Sequence, residues 1–308
     1  MVSLLKVKAK RKSVEARLKL SGVLLFLLFF FPSSPLQSQS SFQRLTPSFV
    51  LDSGVFEGKL FNDLYTQNSF FDATGTRQEL QRRTSFLTGI TQLLYGIGDG
   101  VNLGLEAWSR SVRVGKAGRS PFHFFQTGNG LGRRTAVSYL GPRIKFAPVK
   151  DWQSTSMEIS FLLPIAPDLE GTDRKAPYLA EDRYSLIIKA FYDRSLTKDL
   201  RIFVRFSPWL SIDREGKLEK SYFSSPISAF LSYIPTPRFT IYSQSEWWPT
   251  YSRDPLIGSS FFQQGIGVKY MLIEERLEGE LLYSRFLFGR KSGAGQSFDL
   301  GFRLLFGN

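Results

Sequence analysis

The sequence predicts an all-β fold: a closed antiparallel transmembrane β-barrel of about 12 strands, with short periplasmic turns and longer extracellular loops. Three observations predict it. Segments alternating between apolar and polar residues follow one another from residue 54 to residue 307, most of them ten to fourteen residues long. A tilted strand needs roughly 9–11 residues to cross a bilayer. The links between segments alternate between short and long, the asymmetry of a barrel with turns at one rim and loops at the other. Aromatic residues gather at the segment ends, where an amphipathic ring is best placed at headgroup level.

The chain begins with seven basic residues, Lys6, Lys8, Lys10, Arg11, Lys12, Arg17 and Lys19, followed by the apolar run from Gly22 to Phe31 and then Pro32. That run is half the roughly 20 residues of a spanning helix, and its flanks describe a cleaved export signal over residues 1–40, ending near Ser38 to Ser40. Residues 41–53 are expected to form a short polar periplasmic connection, and 54–308 the barrel. Without the signal the formal charge falls from +13 to about +7, and no basic stripe for nucleic acid remains. No cysteine is present, which excludes a disulfide framework and a thiolate metal site.

The strands are expected at 54–65, 83–95, 100–113, 135–148, 155–165, 183–194, 200–212, 221–234, 238–249, 259–272, 276–288 and 296–307. The hairpin over 84–112 sets the pattern: Val101, Leu103, Leu105 and Ala107 share one face, and Asn102, Gly104, Glu106, Trp108 and Arg110 the other. Asp99-Gly100 is its turn, with glycine accepting a positive φ. The last strand sets Phe298, Leu300, Phe302, Leu304 and Phe306 against Ser297, Asp299, Gly301 and Arg303. Twelve such strands closed on themselves satisfy every backbone amide where lipid offers no partner. Pro142, Pro208 and Pro226 each remove a ladder donor, and bulges are expected there.

Two aromatic girdles are expected: Tyr95, Tyr233, Phe239, Tyr270 and Phe306 at the short-turn end, and Trp247, Trp248, Phe262, Phe286 and Phe288 at the long-loop end. The loop Phe70-Phe71-Asp72-Ala73-Thr74-Gly75-Thr76-Arg77, followed by Tyr95-Gly96-Ile97-Gly98-Asp99-Gly100-Val101-Asn102-Leu103-Gly104, resembles the outer-membrane transporter barrels associated with phenol meta-pathway degradation. The resemblance covers about residues 54–112. It implies an exported barrel and a role in uptake of small molecules, and it supplies no site residues. The C-terminal strand is similar to the signals read by the barrel insertion machinery, although Gly307-Asn308 follow the terminal aromatic Phe306.

No cofactor and no metal site is expected, since His123 is the only histidine. A barrel enzyme would have to use that residue as its base, so an enzyme is not expected. Flanked by Phe122, Phe124 and Phe125, His123 reads as a loop residue folded into the mouth as a plug or touching lipid. Thr127-Gly128-Asn129-Gly130-Leu131-Gly132 lacks the Lys-Ser or Lys-Thr of a phosphate-cradling loop and reads as a flexible external loop. Lys116, Arg119, Arg133 and Arg134 are candidates for pairing with lipopolysaccharide phosphates.

With the apolar faces towards lipid, the candidate lumen residues are Arg110, Arg143, Lys145, Lys189, Arg201, Arg205, Lys269 and Arg303, with Glu106, Glu158, Glu278, Glu280 and Asp299. Eight basic against five acidic groups predict a mild anion preference. These charges either line a water-filled path or pair across a narrow barrel and close it. The expected function is a passive pore or facilitator for small solutes in the bacterial outer membrane. The alternative is a non-conducting barrel whose loops bind lipid, surface partners or host molecules. Separated lumen charges would favour the first, paired charges and large ordered loops the second.

Overall fold

The computed structural model describes residues 48–98, 100–126, 132–148, 154–171, 177–217, 219–254 and 257–307. The export signal, Asp99 and residues 127–131 of the glycine-rich loop lie outside them. The strands are β1 (Phe56–Phe71), β2 (Arg77–Gly98), β3 (Val101–Lys116), β4 (Gly132–Phe146), β5 (Thr155–Pro164), β6 (Arg183–Ser195), β7 (Leu200–Phe206) and β8 (Trp209–Asp213). There follow β9 (Tyr222–Ser224), β10 (Ile227–Thr236), β11 (Phe239–Ser252), β12 (Ser259–Ile273), β13 (Leu277–Arg290), the two-residue β14 (Ser292–Gly293) and β15 (Gln296–Phe306).

Every neighbouring pair is antiparallel, and β1 pairs with both β2 and β15, so the sheet closes. β7 and β8 are one wall strand interrupted at Ser207-Pro208, and β9 and β10 another interrupted at Ser225-Pro226, which makes a closed barrel of 12 strands. Closure runs from Phe56↔Phe306 to Thr66↔Gln296. Gly98 and Gly100, flanking the first short turn, have φ of 106° and 70°, which a side chain would resist.

The prolines are accommodated without the expected bulges. Register is the same on both sides of Pro208 (Ala190↔Phe206, Ile187↔Trp209) and of Pro226 (Ile227↔Phe206, Trp209↔Ser224). Each proline loses its donor but keeps its acceptor: Ile188 N–H donates to the Pro208 carbonyl at 2.9 Å, and Ser207 N–H to that of Pro226 at 2.9 Å. At Pro142 the β4–β5 ladder skips from Leu140↔Leu163 to Arg143↔Ser160 in unchanged register. The register shifts fall elsewhere, among them those between Trp108 and Ser109 against β4 and between Phe262 and Gln263 against β13.

Link lengths depart from strict alternation. β1 and β2 continue past the expected ends at 65 and 83, leaving only 72–76 as their loop, while the link 147–154 on the short-turn side is longer. A strand of 22 residues such as β2 rises roughly 70 Å at about 3.3 Å per residue, so the β1–β2 hairpin stands well beyond a bilayer core of roughly 30 Å. Asp72 holds its tip: Oδ1 accepts from the Thr74 and Thr76 N–H groups at 2.8 and 3.0 Å, and Oδ2 from Gln78 Nε2 at 3.0 Å.

The outward face is apolar, with Leu105, Ile266 and Leu281 each more than half exposed and available to lipid. Tyr95, Tyr233, Phe239, Tyr270 and Phe306 lie on it at the short-turn end, and Phe56 joins them 4.6 Å from the Phe306 ring. At the other end Trp247, Phe262 and Phe288 face out and touch one another, but Trp248 and Phe286 face the lumen. Two adjacent strand residues must take opposite faces, so Trp247 and Trp248 cannot share a girdle. Between Phe286 and Phe288 the extra residue Leu287 shifts the phase.

Inward side chains settle into glycine notches. Tyr242 is 2% exposed and lies over Gly267, where an added Cβ would overlap its ring and come within 2.7 Å of the Leu281 carbonyl. Gly267→Ala is expected to lower stability by about 1–3 kcal/mol through overpacking. A denaturant titration of the refolded barrel checks this, with Tyr242→Ala in the same chain recovering part of the loss.

Candidate functional site, the barrel lumen

A cavity of ≈ 960 Å³ runs inside the barrel. Of the thirteen charged residues expected in the lumen, twelve line it; Lys145 instead points in beneath it at the short-turn end. Glu57, buried beneath the cavity, and Lys59, Asp63, Asp193 and Glu246, which line it, were missed, as was Glu181, which lines it from the link between β5 and β6. A regular signal existed for those on β1 and β11, because Glu57, Lys59 and Asp63 keep period two along β1, as do Tyr242, Gln244 and Glu246 along β11.

Most of these charges are paired. Glu158 accepts from Arg143 and, at 2.8 Å, from Lys189, while Glu106 lies 3.9 Å from Arg143. Arg201 bonds Asp193 at 2.7 Å and Arg205 bonds Glu246 at 2.9 Å. Lys269 sits 3.4 Å from Glu280 and 3.8 Å from Glu278. Glu57 is shared by Lys59, at 2.7 Å, and Arg303. The strands that carry these groups are neighbours in the wall, except that Arg205 on β7 reaches past β10 to Glu246 on β11, so the pairs lie against the wall instead of spanning the opening. Among the described residues 8 basic and 9 acidic side chains line the cavity, so the positive excess expected from the sequence is not present in the full lining.

Above this belt the lumen is aromatic. Trp108 meets Trp209 edge to face at 5.7 Å, although β3 and β8 lie four positions apart in the wall. Trp209 meets Trp248 at 5.6 Å, Trp248 stacks on Phe261 at 5.8 Å, and Phe261 contacts Phe286 at 4.5 Å. The chain continues through Tyr65 and Phe86 to Tyr178. Tyr178 also lines a second cavity of ≈ 240 Å³ beside the first, with Trp108, Trp209 and Trp248.

Tyr178 belongs to the link between β5 and β6, which folds inward. Leu169, Leu179 and Ala180 are fully buried against Val112, Tyr139, Leu162 and Ile187, and the Leu179 and Ala180 N–H groups both donate to the Leu169 carbonyl. Tyr139 and Tyr222 donate to Glu181, and Arg110 reaches the Leu179 carbonyl at 3.5 Å. An extracellular loop therefore narrows the lumen from one end.

Residues 48–53 narrow the other end, where only a polar connection was expected. Leu51 is 3% exposed among Leu94, Met271 and Leu305. Asn102 takes its backbone from both sides at 2.9 Å, accepting from its N–H and donating to its carbonyl. Lys145 Nζ donates to the Phe49 carbonyl at 2.6 Å, and Ser48 Oγ to Asp193 on β6 at 2.5 Å. These partners sit on β3, β4 and β6, so the segment starts beside β1 and crosses the opening.

His123 does not enter the mouth. Ser120 caps a 3₁₀ turn over Pro121–Phe125, and the imidazole packs on Gly115 with Nδ1 3.1 Å from the Ser120 carbonyl. The Phe122 ring lies 4.7 Å from Phe298 on the lipid-facing side of β15, so the segment clasps the outer wall. Leu64 and Thr66 on the same outer face are buried. Lys116, Arg119 and Arg133 are exposed near it, whereas Arg134 donates to the Pro167 carbonyl at 2.9 Å. Burial, together with Arg113, Arg83 and Arg119 nearby, holds the His123 pKa below its ordinary 6.5, against a smaller opposing pull from the Ser120 carbonyl. A base whose folded pKa is depressed stabilises the fold above its unfolded pKa and loses that contribution as pH falls through the folded value. The clasp is therefore expected to loosen below pH 6.5, read as faster hydrogen exchange over 117–126, with His123→Ala removing the pH dependence.

No protein-family model matches the chain, and no curated protein matches it in sequence. Among solved structures the COG4313 outer membrane channel from Pseudomonas putida F1 is similar over 89% of this chain and 100% of that one, with a TM-score of 0.62 at 13% identity. The NanC porin matches over 80% of this chain and 98% of its own at a TM-score of 0.42 and 10% identity, and the KdgM porin over the same shares at 0.40 and 10%. Closed twelve-strand pairing, an apolar outer wall and the likeness to the COG4313 channel together give the chain the fold of a bacterial outer-membrane β-barrel.

Proposed function

We propose that the chain is a passive outer-membrane passage for small solutes, narrowed at both ends and close to neutral in its lining. The observation that carries this is the continuous cavity, whose lining runs from Lys59 and Arg303 near the short turns to Trp248 and Phe286 near the loops. Ion pairs lying along the wall leave that space open while removing the cost of unpaired charges. A balanced lining supports weak ion selectivity rather than the mild anion preference expected from the sequence. Across a salt gradient in a planar bilayer, the refolded chain is expected to show a reversal potential near zero; a strongly anion-selective one would restore the first expectation.

The non-conducting alternative draws on the same pairing and on the segment 48–53 across the opening. Swelling of proteoliposomes in arabinose separates the two, since only a passage accelerates it. No base for an enzyme is aimed at the lumen by the single histidine, which lies on the outer wall. Lys116, Arg119 and Arg133 support contact with lipopolysaccharide phosphates at the outer leaflet, and the terminal strand recognition by the insertion machinery.

A further inference from the structure

We propose that the lipid-facing side of β12 and β13 is a seat for the phosphorylated headgroup of lipopolysaccharide, with Arg285 and Arg290 as its phosphate ligands. This rests on the lipopolysaccharide reading of the long-loop rim and is independent of the passage. Arg285 stands in register with Gln264 on one side and Gln296 on the other. All three turn away from the lumen, which their strand neighbours Gln263, Ser284, Phe286 and Ser297 line. Arg290 stands opposite Ser260 and shares the outward face of Phe262 and Phe288. Both arginines are exposed, and neither makes an ion pair or a side-chain hydrogen bond among the described residues.

The two arginines bracket the headgroup level. Gln264, and with it Arg285, lies one step inside the long-loop girdle, two residues from Phe262 and six from Tyr270 of the short-turn girdle. Arg290 lies one step beyond Phe288, so the rings of Trp247, Phe262 and Phe288 sit between them, where headgroups are found. An arginine on a lipid-facing strand costs free energy unless it snorkels to that level and meets an anion. Elsewhere the exposed outer wall is apolar, as at Phe161, Leu163, Leu210 and Leu231, so contact with acyl chains alone does not account for this patch. Phosphate matches it, because a guanidinium presents a fork of donors to two phosphate oxygens. Ile266 and Leu281, lower on the same face, are 61% and 56% exposed and offer a bed for acyl chains beneath the phosphate. The clasp adjoins the seat: Phe122 lies on Phe298, Phe298 lies 5.2 Å from Tyr283, and the Tyr283 hydroxyl donates to Gln296 at 3.1 Å.

The probe is bisphosphorylated lipid A, titrated into the refolded chain in a neutral detergent, with retained lipid read by native mass spectrometry. Arg285→Gln and Arg290→Gln are each expected to weaken retention about 5-fold, the effect of one basic residue at an anionic lipid surface. Arg285→Lys keeps the charge without the fork and should recover part of the loss. Lys198→Gln, whose side chain is 90% exposed at the short-turn end, should leave retention unchanged. Inorganic phosphate at the same concentration should not displace the lipid, since it lacks the acyl contacts. Heat-shifted gel mobility confirms that each variant is folded. Unchanged retention in the double variant of Arg285 and Arg290, an equal loss in Lys198→Gln, or displacement by inorganic phosphate overturns the proposal. So does lipid-free association of the chain with itself that requires Arg285, which would put a second copy on this face. Arg119→Gln reads the clasp separately: weakening there, with none from Arg285→Gln and Arg290→Gln, would leave the clasp contact standing and remove the seat.

Discussion

A refolded chain lacking residues 48–52 is expected to conduct several-fold more current than the intact one. The segment lies across the short-turn opening, with Leu51 buried among Leu94, Met271 and Leu305 and its backbone held by Asn102 and Lys145. Four polar contacts and one buried leucine hold it; each hydrogen bond contributes only about 0.5–1.5 kcal/mol net, so the segment is a restraint that the wall survives without. The barrel's own ladder from Phe56↔Phe306 onwards does not include these residues. Single-channel recording checks the outcome, and Asn102→Ala should move conductance in the same direction by a smaller amount. Equal conductance with and without the segment would mean that the narrow point lies elsewhere in the lumen.

Glu158→Ala is expected to destabilise the barrel by about 3–5 kcal/mol, because it leaves Arg143 and Lys189 facing a lumen without their shared carboxylate. Arg143 is only 3% exposed and Glu106, its other partner, lies at 3.9 Å, too far to replace the lost bond. Replacing Glu158, Arg143 and Lys189 together by apolar residues of similar volume should recover most of the loss, since the cost comes from the orphaned charges. Guanidinium unfolding of the refolded protein measures both variants. A triple variant as unstable as the single one would show that the network contributes packing rather than charge compensation.

The strands were legible because a wall between lipid and lumen forces period two on every one of them, and 200–212 or 296–307 could be read from alternation alone. The lumen charges followed from the same phase, which is why Arg201, Arg205, Glu278 and Glu280 stand where their parity put them. What the period does not encode is what comes back into the barrel. Ser48 to Ser53 has no alternation to read, and its backbone binds Asn102 and Lys145 through contacts 51 and 96 residues apart in sequence. The inward fold of the β5–β6 link left a trace only in a few apolar residues, Leu169, Leu179 and Ala180 among them, set in a charged stretch. Trp248 and Phe286 were misplaced because gathering at a strand end was weighed above strand phase, and a one-residue bulge at Leu287 breaks that phase. Loop lengths misled where the strands outgrow the bilayer, as β1 and β2 do.

Arabinose uptake by proteoliposomes containing the intact refolded chain tests the central claim most directly. A passage through the ≈ 960 Å³ cavity predicts swelling faster than in protein-free vesicles and faster still without residues 48–52. Swelling no faster than in protein-free vesicles, from both chains in a folded state shown by heat-shifted mobility, would contradict it and leave a closed barrel whose outer surfaces carry the function.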